Sequence, residues 1–150
     1  MNERLSFKFA ATTIILLMVT LPLFSFFHEI GHVIICDLDG RDYNFSYNWT
    51  ACSGKFEDPT MYRMAGGFLS ASIALILFAS IKNIAVKKFK PIAIVLVVIA
   101  VVEFVNMIQE SFLHSFYMDY GSAVSGMMML GLCIFFIFRH SPRKERVVRV

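Results

Sequence analysis

Four long apolar runs constrain this chain more than any other feature. They cover about residues 9–36, 64–81, 91–108 and 122–138, and each is close to the ~17 to 25 residues that cross hydrocarbon as a helix. With 57% hydrophobic residues and a mean hydropathy of +0.66, too few polar groups remain to coat a soluble globule of 150 residues. The first run is too long for the apolar part of a signal peptide and lacks a small-residue cleavage site, so it is read as a retained span. The expected fold class is an all-α membrane protein with about four transmembrane helices and a short β-hairpin in the first loop. No repeat, low-complexity tract or linker divides the chain, and residues 1–150 are read as a single transmembrane domain.

The basic residues are unevenly placed. Arg4 and Lys8, then Lys82, Lys87, Lys88 and Lys90, then Arg139, Arg143, Lys144, Arg146 and Arg149 hold all but three of the 14 Lys and Arg. Four spans put these three segments on one side, and positive-inside bias makes that side cytoplasmic, with both termini. The tail is read as a topology anchor, and no nucleic-acid partner is expected. Arg41, Lys55 and Arg63 lie instead in the first loop, among Asp37, Asp39, Asp42, Glu57 and Asp58.

Three cysteines with no CxxC pair make neither a disulfide framework nor a structural zinc site. Cys36 and Cys133 are expected to pack as apolar groups, with Cys52 in the polar loop. The sequon Asn48-Trp49-Thr50 is too common a triplet to carry weight. In the same loop Tyr43, Phe45, Tyr47 and Trp49 alternate with polar residues, the period of two that marks a strand. Ala51-Cys52-Ser53-Gly54 is read as the turn and Lys55-Phe56 as the start of a return strand. An aromatic hairpin of this kind suits the membrane interface; its edge also offers a place for an extended peptide, which makes the four aromatic residues candidate substrate contacts.

His28-Glu29-Ile30-Gly31-His32 reads HExxH at the end of the first run. Residues i and i+4 share a helix face, so both imidazoles can hold one metal ion while Glu29 addresses its water. An unpaired carboxylate in hydrocarbon costs at least ~2.5 kcal/mol, so a function is the natural reading. A catalytic zinc takes a third protein ligand, and the candidates are Asp119, Glu110, Glu103, His114 and Asp39. Glu103, Asn106 and Glu110 form one polar stripe on the third run and should face the bundle interior. At 1.5 Å per residue, His28 lies ~29 Å along its helix from residue 9, at the outer level that Glu103, Glu110 and Asp119 also reach. Ala65-Gly66-Gly67 lies there too, and small residues let membrane helices approach closely.

In these features the chain resembles the site-2 protease family of intramembrane zinc metalloproteases. The residues that carry the resemblance are His28-Glu29-Ile30-Gly31-His32, Met64-Ala65-Gly66-Gly67-Phe68, Asn106-Met107-Ile108 and Met118-Asp119-Tyr120-Gly121. The resemblance implies that His28, His32 and Asp119 bind one zinc ion per chain, that Glu29 is the general base, and that Asn106 holds the substrate or its oxyanion. Glu110 and Glu103 stand as alternative third ligands. Gly67 and Gln109 stand where the family prefers proline, Tyr120 separates Asp119 from Gly121, and the family's site generally lies nearer the cytosol than charge bias places this one.

The implied reaction is hydrolysis of peptide bonds in or near transmembrane segments of a membrane-protein substrate, within the lipid bilayer. Zinc acidifies a water, Glu29 takes its proton, and the leaving amine receives that proton. Substrate helices must unwind first, because their backbone is shielded by its own hydrogen bonds. The chain leaves no room for an appended regulatory module, so regulation is expected from a membrane partner or a second copy. The alternative reading is a non-catalytic intramembrane metal-binding or transport protein using the same ligands.

Overall fold

The computed structural model describes residues 7–88 and 90–140, with the backbone alone from 82 to 88. The basic residues Arg4, Arg143, Lys144, Arg146 and Arg149, and the side chains of Lys82, Lys87 and Lys88, lie outside what it describes. Helix α1 (Phe7–Leu38) leads into strands β1 (Tyr43–Ser46) and β2 (Trp49–Cys52). Helices α2 (Thr60–Lys88) and α3 (Lys90–Phe112) follow. A helical turn α4 (His114–Phe116), a π-helical turn (Tyr117–Gly121) and helix α5 (Ser122–His140) complete the described residues. Among the described residues, four segments are long and apolar enough to cross a membrane: Phe7–Leu38, Thr60–Ile81, Lys90–Phe112 and His114–His140.

Large apolar side chains face outward along every span, among them Ile15, Met18 and Val19 on α1, Ile76 on α2, Phe104 on α3 and Leu130 on α5. That exterior fits hydrocarbon and not water. Inside, Leu17 and Phe24 of α1, Ala74 of α2, Val95, Leu96, Ile99 and Ala100 of α3, and Cys133 and Ile137 of α5 form one core. α3 is the most enclosed span, as its near-continuous apolar sequence requires of a helix surrounded by protein.

α1 ends in a turn at Leu38-Asp39-Gly40. Gly40 has φ +65°, and the N–H groups of Gly40 and Arg41 donate to the carbonyls of Asp37 (3.0 Å) and Cys36 (2.9 Å). A side chain at that left-handed position would cost ~1 to 2 kcal/mol. At the start of α2, the Thr60 hydroxyl and backbone N–H hold the Asp58 carboxyl below its usual range.

The first loop differs from expectation in two respects. The hairpin turns at Tyr47-Asn48, with Ser46 paired to Trp49 and Tyr43 to Cys52. The aromatic alternation therefore runs through a two-residue turn into the second strand, which alternation alone does not mark. The segment 51–54 is the end of β2 and a bend at Gly54 (φ +76°), and Lys55-Phe56 forms no strand. Phe56 instead stacks on Tyr62 beneath the Arg41 guanidinium, 4.3 Å from the ring centre. Second, Cys36 and Cys52 form a disulfide with Cα atoms 5.8 Å apart, so Cys36 is not simply a packed thiol. Cys133 is free and buried, as expected.

Candidate metal centre

The two histidines of α1 point the same way because they are one turn apart, with ring centres 5.0 Å from each other. Each Nδ1 already has a partner. His28 Nδ1 lies 2.9 Å from Glu103 Oε2, and His32 Nδ1 lies 2.8 Å from the carbonyl oxygen of Tyr62. A carbonyl oxygen and an ionised carboxylate can only accept, so each Nδ1 carries a proton, and in the neutral ring Nε2 then presents a lone pair. That is the tautomer a metal-ligating histidine needs, fixed by the outer partners that ligating histidines ordinarily have.

The two lone pairs face Glu110. Its Oε2 is 3.5 Å from His28 Nε2, and its Oε1 is 3.6 Å from His32 Nε2. Three ligand atoms tetrahedrally arranged at zinc bond lengths of ~2.0 to 2.1 Å would sit about 3.4 Å apart; one ligand atom from each of the three residues lies within 4.8 Å of the others, so small side-chain shifts would bring them onto one ion. Glu110 Oε2 is buried and has no hydrogen-bond partner among the described residues, a cost that a metal ion would remove. His28, His32 and Glu110 thus form a group that could hold a metal ion. They are 8%, 4% and 9% exposed.

Three glycines allow the helices to meet here. A Cβ on Gly31 would stand 2.6 Å from the carbonyl carbon of Ala65 and 2.8 Å from Gly66 Cα. On Gly66 it would stand 2.5 Å from His28 Nε2 and 2.6 Å from His32 Nε2. On Gly67 it would meet the Glu103 carbonyl at 2.6 Å. The small residues opening α2 therefore make room for the imidazoles as well as for backbone packing. One turn further, Ser70 is fully buried and its hydroxyl donates to Glu103 Oε2 at 2.8 Å.

The expected third ligand, Asp119, is exposed on the π-helical turn and lies outside the group that could hold a metal ion; Glu110, from the polar stripe of α3, is the carboxylate in that group. Glu103 lies one layer out, on the far side of His28. Asn106 accepts a hydrogen bond from the Ser125 hydroxyl, linking α3 to α5. Glu29 is half-buried, its carboxylate makes no hydrogen bond or ion pair among the described residues, and its carbonyl accepts from the Thr50 hydroxyl at 3.3 Å. Asp39 pairs with Arg41 at the surface. His114 Nδ1 is buried without a partner and stands outside the group.

The hairpin lies along the same stretch of α1. Phe45 packs on Phe26, ring centres 5.6 Å apart, and the Tyr62 hydroxyl donates to the Thr50 carbonyl at 2.9 Å. Tyr43, Phe45, Tyr47 and Trp49 are exposed. Ser70 and Tyr62 were not candidates from the sequence: α2 also carries Ser72 and Ser80, and Tyr62 acts through a carbonyl that any residue possesses. Comparison with known proteins finds no family model, curated protein or solved structure that matches the chain.

Proposed function

We propose that this chain is an intramembrane zinc metalloprotease that hydrolyses peptide bonds in or near the transmembrane segments of other membrane proteins. The observation that carries the reading is the meeting of two Nε2 atoms, on rings whose Nδ1 atoms have partners of their own, with a buried carboxylate oxygen that has no hydrogen-bond partner among the described residues. His28, His32 and Glu110 would hold the ion, in the two-histidine, one-glutamate set common to zinc peptidases. Zinc would supply polarisation of the scissile carbonyl and acidification of a water. Glu29, adjacent to His28 and without a partner of its own, accepts the proton of that water and returns it to the departing amine, so that one water is consumed per bond cut. Glu103 and Ser70 keep the His28 ring in position. The exposed aromatic hairpin holds a locally unwound substrate strand beside the site.

The orientation belongs to the same reading. Lys8, Lys90 and Arg139 stand at the end of the bundle opposite the site, and a disulfide joins α1 to the hairpin only four residues beyond His32. Disulfides persist in oxidising compartments, so charge and sulfur chemistry agree on a site that opens away from the cytosol, with both termini inside it.

The test is metal content together with cleavage of a single-span substrate in liposomes. Wild type should carry about one zinc per chain and cleave. Glu29→Gln should keep the zinc and lose at least ~100-fold in rate, the usual scale of general-base catalysis. Cleavage by Glu29→Gln at the wild-type rate would refute the mechanism. Zinc binding without cleavage by wild type on any single-span substrate would leave a metal carrier.

A further inference from the structure

At the end of the bundle remote from the metal centre, α2, α3 and α5 part to leave a groove of about 210 Å³. Its walls are Phe78 of α2 and Phe136 of α5, and its floor is Ala93, Ile94 and Val97 of α3. Ala93 and Ile94 are buried within the protein, so the hollow reaches into the bundle. Among the described residues, Lys90 and His140 bring the polar groups to it. They are the first residue of α3 and the last of α5, both exposed, and so stand at the rim where the spans leave hydrocarbon. His140 Nδ1 lies 3.2 Å from the Phe136 carbonyl, which takes up that nitrogen and leaves Nε2 to face outward.

A hollow on a lipid-facing surface does not stay empty, because its lining would forfeit dispersion contacts. An acyl chain is thin enough to fill it. The rim then selects the headgroup, since basic groups at the mouth of an interhelical pocket near the cytoplasmic surface favour anionic lipid. We propose that this groove is a binding site for one anionic phospholipid, its acyl chain laid on Ala93, Ile94 and Val97 between the two phenylalanines and its phosphate held by Lys90 and His140.

Native mass spectrometry of the full chain in mild detergent tests this, using phosphatidylglycerol and phosphatidylcholine with identical acyl chains, and inorganic phosphate alone. One phosphatidylglycerol should be retained per chain, with at least a tenfold preference over phosphatidylcholine and no retention of phosphate. Ala93→Phe should abolish retention by filling the floor, whereas Leu130→Phe, on the outer surface of α5, should not. The Lys90→Ala, His140→Ala double variant changes only exposed rim residues and so avoids disturbing the fold. It should lose the headgroup preference. Equal retention of the two lipids by wild type, or an undiminished preference in the rim double variant, would overturn the proposal. So would a dimer that Ala93→Phe dissociates, because the groove would then serve a second copy of the chain.

Discussion

At the scale of single residues, the division of labour between the carboxylates on α3 is the main consequence of the geometry. Glu110 faces two Nε2 atoms, and Glu103 faces the back of one ring. Glu110→Gln should therefore release zinc, because it removes the anionic ligand. Glu103→Gln should retain zinc with ~10 to 100-fold weaker affinity, the usual effect of losing an orienting partner. Asp119→Ala should leave the metal content unchanged. Titration with a competing chelator ranks all three, and zinc loss from Asp119→Ala with full retention by Glu110→Gln would return the third ligand to the turn before α5. Gly66→Ala belongs to the same set. Its Cβ would press on both imidazoles, so zinc should be lost, while Gly126→Ala, with open space around it, should bind normally. The sequence made the histidines legible because i, i+4 spacing has one geometric meaning. It did not separate Glu110 from Asp119, since the facing of α3 depends on how three helices pack.

At the scale of elements, the four spans and their order follow directly from the apolar runs, whereas the hairpin's turn and the disulfide do not. Period two survives a two-residue turn, so the aromatic ladder concealed its own reversal. Cys36 and Cys52 become partners only because the hairpin folds back along α1, with Phe45 on Phe26 and Thr50 on the Glu29 carbonyl. The bridge closes a loop across a sequence separation of 16 residues, and a cross-link of that length is worth ~3 kcal/mol in the chain-entropy description. Non-reducing peptide mapping of protein alkylated in intact cells should find residues 36 and 52 joined, and Cys133 as the thiol revealed on denaturation. An impermeant maleimide should label Asn48→Cys at the hairpin tip and spare Asn2→Cys until the membrane is opened. The reverse labelling pattern, with Cys36 and Cys52 reduced in cells, would place the site on the cytosolic face and discard the outward orientation without touching the metal chemistry.

At the scale of the whole molecule, the bundle has two differently built ends. Toward the end remote from the metal centre, α1, α2, α3 and α5 interlock through apolar side chains such as Leu17, Ala74, Leu96 and Ile137, which need nothing further to hold them. Toward the other end, glycines bring α1 and α2 into backbone contact, and polar groups converge with Glu110 Oε2 unpartnered. A metal ion there would join α1 to α3, and any ligand that binds only the folded state stabilises it by mass action, ~4 kcal/mol at a thousandfold excess over Kd. Chelation should accordingly lower the thermal midpoint in detergent, reversibly on zinc addition, and should have no effect on the His28→Ala, His32→Ala double variant. Hydrogen exchange locates the change. Chelation should speed exchange in residues 26–36 and 103–112, leaving residues 14–21 and 93–100 protected, because the latter are held by the apolar core. Uniform acceleration along all four helices would mean that the ion supports the fold as a whole, and a zinc-independent midpoint would remove it from the structure altogether.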